Sequence, residues 1–392
     1  KNIRYLKMKR SLPDILIIFL LTAATIIFEI SLSRLFSYLL RFHFVLIIIA
    51  FSILGLGIGQ ISYAKFYNRM DKAWDFWAAL PVIAMFLGFS LLLVLSKIGS
   101  SSFNNLGLLA FIVFSIVPFI AIGVVYTFIF ERNKRHASTF YAIDLIGAAG
   151  GALVSVYLLN TFSLVFVVAI AIALLLVVWA IHAFASKNRY SMALSLLSVA
   201  IIILMGLGKD ALDIDIPVSK DPSKDMYRLM NNPALQSEKL ESRWSAFGKT
   251  DLVQFTYPDS TVSKTMFIDG AAGTDVVNID ELAKDTLKIR KALSGLPAVF
   301  AMNFVNKNDK DSGLIIGPGG GIDIAAAYFS GYSYIDAVEV NPSFVQLMEK
   351  YNPATFLEKE NIKVVVNEGR NFVIQNKGKY DAILLTIPVT KG

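Results

Sequence analysis

Seven apolar stretches occupy the first 208 residues of this chain, each close to the twenty or so residues needed to cross the hydrocarbon core of a bilayer. They run from Pro13 to Ser33, His43 to Ala64, Trp74 to Leu95, Leu106 to Phe130, Phe140 to Asn160, Leu164 to Ala185 and Tyr190 to Leu207. An apolar content of 55% and a mean hydropathy of +0.58 are too high for a soluble chain of this length, and the excess is unevenly spread. Residues 1–208 hold 16 Lys/Arg against 6 Asp/Glu, whereas residues 209–392 hold 21 against 24. The two halves are therefore built for different solvents. The first reads as a multi-span α-helical membrane domain of about seven spans, too long and too repetitive to be a removable signal peptide.

Loop charge sets the expected orientation. Thirteen basic residues (1, 4, 7, 9, 10, 65, 69, 72, 132, 134, 135, 187 and 189) fall on one side, and only Arg34, Arg41 and Lys97 on the other. This bias puts the N-terminus in the cytoplasm of a plasma (inner) membrane, and an odd number of spans puts the C-terminal half outside it. If Tyr190 to Leu207 lies along the interface instead, that half returns to the cytoplasm. Trp74, Trp77, Tyr126, Tyr157 and Trp179 sit near span ends, where amphipathic rings meet headgroups. The net positive charge belongs to the cytoplasmic membrane face and implies no nucleic-acid partner. Gly55 with Gly59, and Gly147 with Gly151, have the spacing of closely packed helices. Glu29 and Asp144 lie within spans and require partners; Arg34 is a candidate for either, and a neighbouring hydroxyl is a second candidate for Asp144. These acids support either a structural polar network or a ligand or ion path, without the inverted repeats of a transporter.

Cysteine is absent, which excludes disulfides and thiolate chemistry, and the three histidines (43, 136 and 182) are far apart, so no metal site is expected. Residues 209–241 are charged and proline-punctuated and read as a linker ending in a short helix. From 242 to 295 the pattern becomes a small β subdomain with a hairpin, Thr250 to Tyr257 and Ser263 to Asp269, followed by a helix from Asp280 to Ser294.

Residues 296–392 alternate strand and helix around Leu314 to Ala327, LIIGPGGGIDIAAA. Glycines at 317, 319, 320 and 321 allow a sharp turn and close approach of a ligand, and the helix that follows offers free N–H groups. The spacing departs from the dinucleotide pattern, whose third glycine would fall at Ile322. Glu339 ends the next strand, Tyr334 to Glu339, where a carboxylate can accept two ribose hydroxyls. After a helix from Ser343 to Tyr351 and a strand from Asn361 to Val366 come Glu368 and Gly369 in a turn, then a fourth strand, Asp381 to Leu385. This order favours a Rossmann-like parallel sheet with its ligand at the carboxyl ends of the strands, apparently truncated after strand four. Either the chain continues or a homo- or hetero-oligomeric partner completes the sheet.

The succession MFIDG, LIIGPGGG, YIDAVEVNP, NEGRNFV and YDAILL resembles the spermidine synthase, or aminopropyltransferase, family, whose fold is of the class I methyltransferase type. FEISLSRLFS, LGLGIG and FYAIDLIGAAGGALVSVYLL resemble its membrane-fused relatives. The resemblance implies an S-adenosylmethionine or decarboxylated S-adenosylmethionine ligand. Glu339 would hold the ribose, Glu368 the adenine amino group, and Gly317 to Gly321 the sulfur-bearing tail. Departures are equally specific. An acid that grips the aminopropyl end in the family is replaced by Gly320, the glutamine after the Asp-Gly pair by Gly273, and the catalytic aspartate by Thr386. The polyamine site looks erased and the nucleoside side kept. Three readings follow: a membrane-tethered transferase acting on an acceptor other than putrescine, a catalytically lapsed binding or scaffold domain, and a transport role for the helices.

Overall fold

The computed structural model describes residues 2–40, 44–70, 74–98, 105–207, 214–303, 311–351, 357, 359–376, 378 and 380–385. The chain divides into two compact units, Lys1–Asp221 and Pro222–Gly392.

The first unit is helical: α1 Asn2–Leu39, α2 Phe44–Met70, α3 Trp74–Ile98, α4 Asn105–Arg132, α5 Ala137–Thr161, α6 Leu164–Ser186 and α7 Arg189–Leu207. Among the described residues six of these, α1 to α6, are long and apolar enough to cross a membrane. The seventh expected stretch also forms a helix, α7, but the side chains of its last residues, 201–207, lie outside the described set. The two small-residue motifs set the packing. A Cβ at Gly59 would stand 2.2 Å from the Ile120 carbonyl oxygen of α4, and one at Gly151 2.7 Å from the Ala23 carbonyl oxygen of α1. The helix backbones touch there, and only glycine fits.

The second unit opens with α8 Asp225–Met230 and an antiparallel meander of β1 Gln236–Ser245, β2 Gly248–Thr256, β3 Val262–Ile268 and β4 Ala271–Asp275, in that order across the sheet. Three helices, α9 Ile279–Ala283, α10 Thr286–Leu293 and α11 Pro297–Asn303, lead into β5 Ser312–Ile316, α12 Ile322–Phe329, β6 Tyr334–Glu339, α13 Pro342–Tyr351, β7 Ile362–Val366, α14 Gly369–Gln375 and β8 Ala382–Leu385. The second sheet is parallel with order β7-β6-β5-β8. Strand order reverses at β5, so a crevice opens beyond its carboxyl end. Leu314, Ile315, Ile335 and Ala337 are wholly buried, as strands covered on both faces require.

Three expectations need correction. The linker assigned to 209–241 contains the first half of β1, and the hairpin is two strands of four. The helix expected over Asp280 to Ser294 is broken, because the Asp285 carboxylate accepts the Leu287 N–H at 2.8 Å and caps a new helix. The hydrogen bond to Glu29 comes from α2 and not from the candidate Arg34. Arg34 lies five positions along α1, about 140° round the helix from Glu29, whereas facing partners are three or four apart. Glu29 instead accepts a hydrogen bond from Ser52 of α2 at 3.0 Å. Asp144 accepts from the hydroxyls of Thr22 at 2.6 Å and Tyr126 at 2.8 Å.

Candidate active site

A cavity of about 840 Å³ lies at the carboxyl ends of the parallel strands within the second unit. The turn after β5 supplies Gly317 and Gly319, the end of β6 supplies Glu339, and the turn after β7 supplies Glu368 and Gly369. Ile268 of β3 and Gly273 and Thr274 of β4 close one side, and Phe247 and Phe344 add aromatic surface.

Glu339 is the best-positioned acid. Its side chain is 4% exposed, one carboxylate oxygen accepts the Gly319 N–H at 3.1 Å, and the other accepts the Asn341 N–H at 2.8 Å. Burial pushes its carboxyl above the ordinary 4.5, and these backbone donors pull against that rise. A carboxylate has about four acceptor positions, so two remain after both amides are served, and they border the cavity.

The glycine turn works differently from the expectation. Its amides are not a free cradle: each donates within the protein, Gly317 to the Val338 carbonyl at 2.9 Å, Gly319 to Glu339, Gly320 to the Thr274 hydroxyl at 3.0 Å and Gly321 to the Pro318 carbonyl at 2.9 Å. The left-handed conformations of Gly317, Gly319 and Gly321, with φ of 79°, 54° and 98°, fold the chain back so that these bonds close. Gly317 and Gly319 offer the cavity bare backbone. Gly320 and Gly321 do not line it. A Cβ at Gly320 would meet the Asp275 carbonyl oxygen at 2.0 Å, so this glycine exists to admit β4, and Gly321 is the N-cap of α12.

Glu368 is exposed and serves as the N-cap of α14, accepting the N–H groups of Arg370 at 3.0 Å and Asn371 at 2.8 Å. These bonds hold its carboxyl below the ordinary value. Gly369 is required by packing, since a Cβ there would stand 2.6 Å from Ile316. Thr386, the expected stand-in for the catalytic aspartate, lies outside the described residues. Sequence reasoning missed Asp323, buried in the first turn of α12 and lining the cavity, and Asn341, whose amide group donates to the Thr250 hydroxyl at 3.0 Å. An acid two residues past the last glycine of the turn was the available signal for Asp323.

No family model matches the chain. Polyamine aminopropyltransferase 1 of Streptomyces coelicolor (strain ATCC BAA-471 / A3(2) / M145) is 24% identical over an alignment of 403 positions that covers 95% of this chain and 69% of the relative. The chain is spermidine synthase-like. Solved spermidine synthases include that of Thermotoga maritima, 20% identical over 38% of this chain with a TM-score of 0.28. Another, in complex with the transition state analogue AdoDATO, is 19% identical over 38% of this chain with a TM-score of 0.27. The matched stretch spans just under half of each of those solved chains, 47% and 46%. In this spermidine synthase-like chain the relative's alignment runs through both units, so the helical unit is part of the likeness.

Proposed function

We propose that the second unit binds an adenosine-type nucleoside with a sulfur-bearing tail, S-adenosylmethionine or its decarboxylated form, and that the first unit anchors it in a membrane. The observation that carries the reading is Glu339, a buried carboxylate fixed by two backbone amides with its remaining acceptor positions beside a cavity of about 840 Å³. That volume lies within the range of small-molecule sites. Glu339 would take the ribose hydroxyls, Glu368 the adenine amino group, and the apolar walls of Ile316, Val338 and Leu385 the base. The bare backbone at Gly317 and Gly319 leaves room for the tail, and the buried carboxyl group of Asp323 lies on the same wall. A bound sulfonium would supply an electrophilic carbon: the amine nitrogen of an acceptor other than putrescine would form a C–N bond to it as the C–S bond breaks, the neutral thioether leaving and the ammonium proton passing to solvent, which completes an aminopropyl or similar transfer. Calorimetric titration with S-adenosylmethionine and its decarboxylated and demethylated forms tests the reading. Saturable heat abolished in Glu339→Ala is expected, and no heat with any of the three sinks it.

A second reading is a binding or scaffold domain that turns nothing over. Gly320 favours it: the position that bears an acid in the family is filled by the backbone of β4 and has no space for a side chain. Binding heat without product formation over a panel of amines separates the two. Strand β8 is an edge among the described residues, and its exposed Ile383 and Leu385 fit a sheet completed by another copy, a partner or further chain. For orientation, a reporter active only outside the cytoplasm, fused after Gly270, is expected to be active; an inactive one means that α7 does not cross.

A further inference from the structure

A second cavity, of about 520 Å³, lies inside the helical unit and is lined from four helices. Each helix contributes one face: Thr22, Thr25, Ile26 and Glu29 of α1, Leu56 and Gln60 of α2, Tyr126 and Thr127 of α4, and Asp144 and Ala148 of α5. The three- and four-residue spacings show that the hollow is built along turns of packed helices. The close contacts at Gly59 and Gly151 fix α2 against α4 and α5 against α1 on either side of it. Two carboxylates border this space, and no Lys or Arg lines it among the described residues. Hydroxyls hold one oxygen of each: Ser52 donates to Glu29, and Thr22 and Tyr126 both donate to the same oxygen of Asp144. Hydroxyl donors orient a carboxylate without neutralising it, and in the membrane setting proposed for this unit two carboxylates are costly unless they take up protons or a cation joins them.

Thr22, which binds Asp144, and Glu29 are seven residues apart on α1, an axial offset of about 10 Å. Ile26 occupies the same face between them, and Leu56 of α2 lines the same space. Thr25 shares that face, with its hydroxyl spent on the Leu21 carbonyl at 2.7 Å, so the lining carries a carboxylate at two levels with the Ile26 side chain between them.

We infer that this cavity is a binding site for a short alkane diammonium, with one ammonium on Asp144, the other on Glu29 and the methylenes against Ile26 and Leu56. The site is formed by the helical unit alone and does not depend on the nucleoside reading of the second unit. A metal ion is the poorer match, because it would gather both carboxylates to one point, whereas the helix offset keeps them apart.

The test uses the full chain in lipid nanodiscs, titrated calorimetrically with diaminobutane (an amine at each end), butylamine and sodium chloride. Saturable binding of the diamine is expected, with butylamine weaker by about tenfold or more because one charge-assisted contact is lost. Glu29→Gln and Asp144→Asn should each weaken the diamine by about tenfold or more. Ala148→Leu, which fills the cavity and leaves both acids in place, should also weaken it. Equal binding of butylamine and diamine, competition by sodium at matched concentration, no diamine heat, or heat indifferent to all three substitutions overturns the proposal. The last result would place the diamine elsewhere in the chain.

Discussion

The two cavities hold their acids by different means. In the second unit Glu339 is gripped by main-chain N–H groups of Gly319 and Asn341, whose positions are set by a glycine turn and a strand end. In the helical unit Glu29 and Asp144 are gripped by side-chain hydroxyls from neighbouring helices. A main-chain clamp changes only if the fold changes, so it suits a ligand whose hydroxyls must meet a fixed acceptor. A hydroxyl clamp rotates, so its acid can adjust to a charge that arrives and leaves. What separates these acids is the stiffness of their partners: main chain holds Glu339, and side-chain hydroxyls hold Glu29 and Asp144.

Substitution can break this comparison at its stiffest point first. Gly320→Ala drives a methyl into the Asp275 carbonyl, 2.0 Å away, and should cost the second unit about 3 kcal/mol, since strand or turn must shift. Denaturant unfolding of the full chain followed by a probe in the second unit measures it; an unchanged midpoint would mean that β4 is free to retreat. Next comes Glu339→Gln, which keeps the shape but removes the anion. Nucleoside affinity should fall about tenfold to a hundredfold, read by calorimetry, with the fold retained.

Acidity sharpens the same point because two pH dependences oppose each other. The Glu339 carboxyl titrates above 4.5 in the folded protein, so its contribution to folding stability is present below 4.5 and is lost as pH rises through its folded value. Ligand binding needs the anion, so affinity should fall as pH drops through that same raised value. A flat affinity profile from neutral pH to 4.5 would remove Glu339 from the site.

Glu241 behaves in the opposite sense and defines the smaller effect. Burial acts to raise its carboxyl, but hydrogen bonds from Lys350, Arg243 and Tyr351 outweigh it and bring the value to about 2. Its stabilisation is present above 4.5 and is lost as pH falls toward about 2. Because its partners Lys350 and Arg243 are partly solvated and screened, Glu241→Gln should cost only about 1 kcal/mol, measured as a difference between neutral and acid unfolding midpoints. The smallest change is expected for Glu368→Ala, which removes an exposed helix cap and should lower nucleoside affinity more than it lowers stability.

Much of this architecture was legible in the residues. Tyr334 to Glu339 reads as a strand ending in an acid, and the structure places β6 over those same residues with five of the six buried. The helices of the first unit were legible from length and hydropathy. β1 was not, since Gln236–Ser245 is mostly polar and half-buried, and an edge strand needs no continuous apolar face. Nor was β4, whose Ala-Ala-Gly has poor strand propensity and is held by antiparallel pairing with β3. For the site, the sequence located the glycines and the two acids but could not say where the glycine N–H groups point. That depends on Thr274, 46 residues before Gly320, and on Glu339, 20 residues after Gly319. Arg34 is a candidate partner for Glu29 by sequence, but nearness along a chain is not nearness around a helix, and Ser52 of α2 makes the bond.

The contact between Gly320 and the Asp275 carbonyl also limits how this turn can be redesigned. Any side chain placed at 320 brings a Cβ into space that main chain now fills, so nothing larger than glycine fits there unless the meander first loosens. Positions whose side chains already line the hollow, Asp323 among them, are the ones through which its contents could be changed.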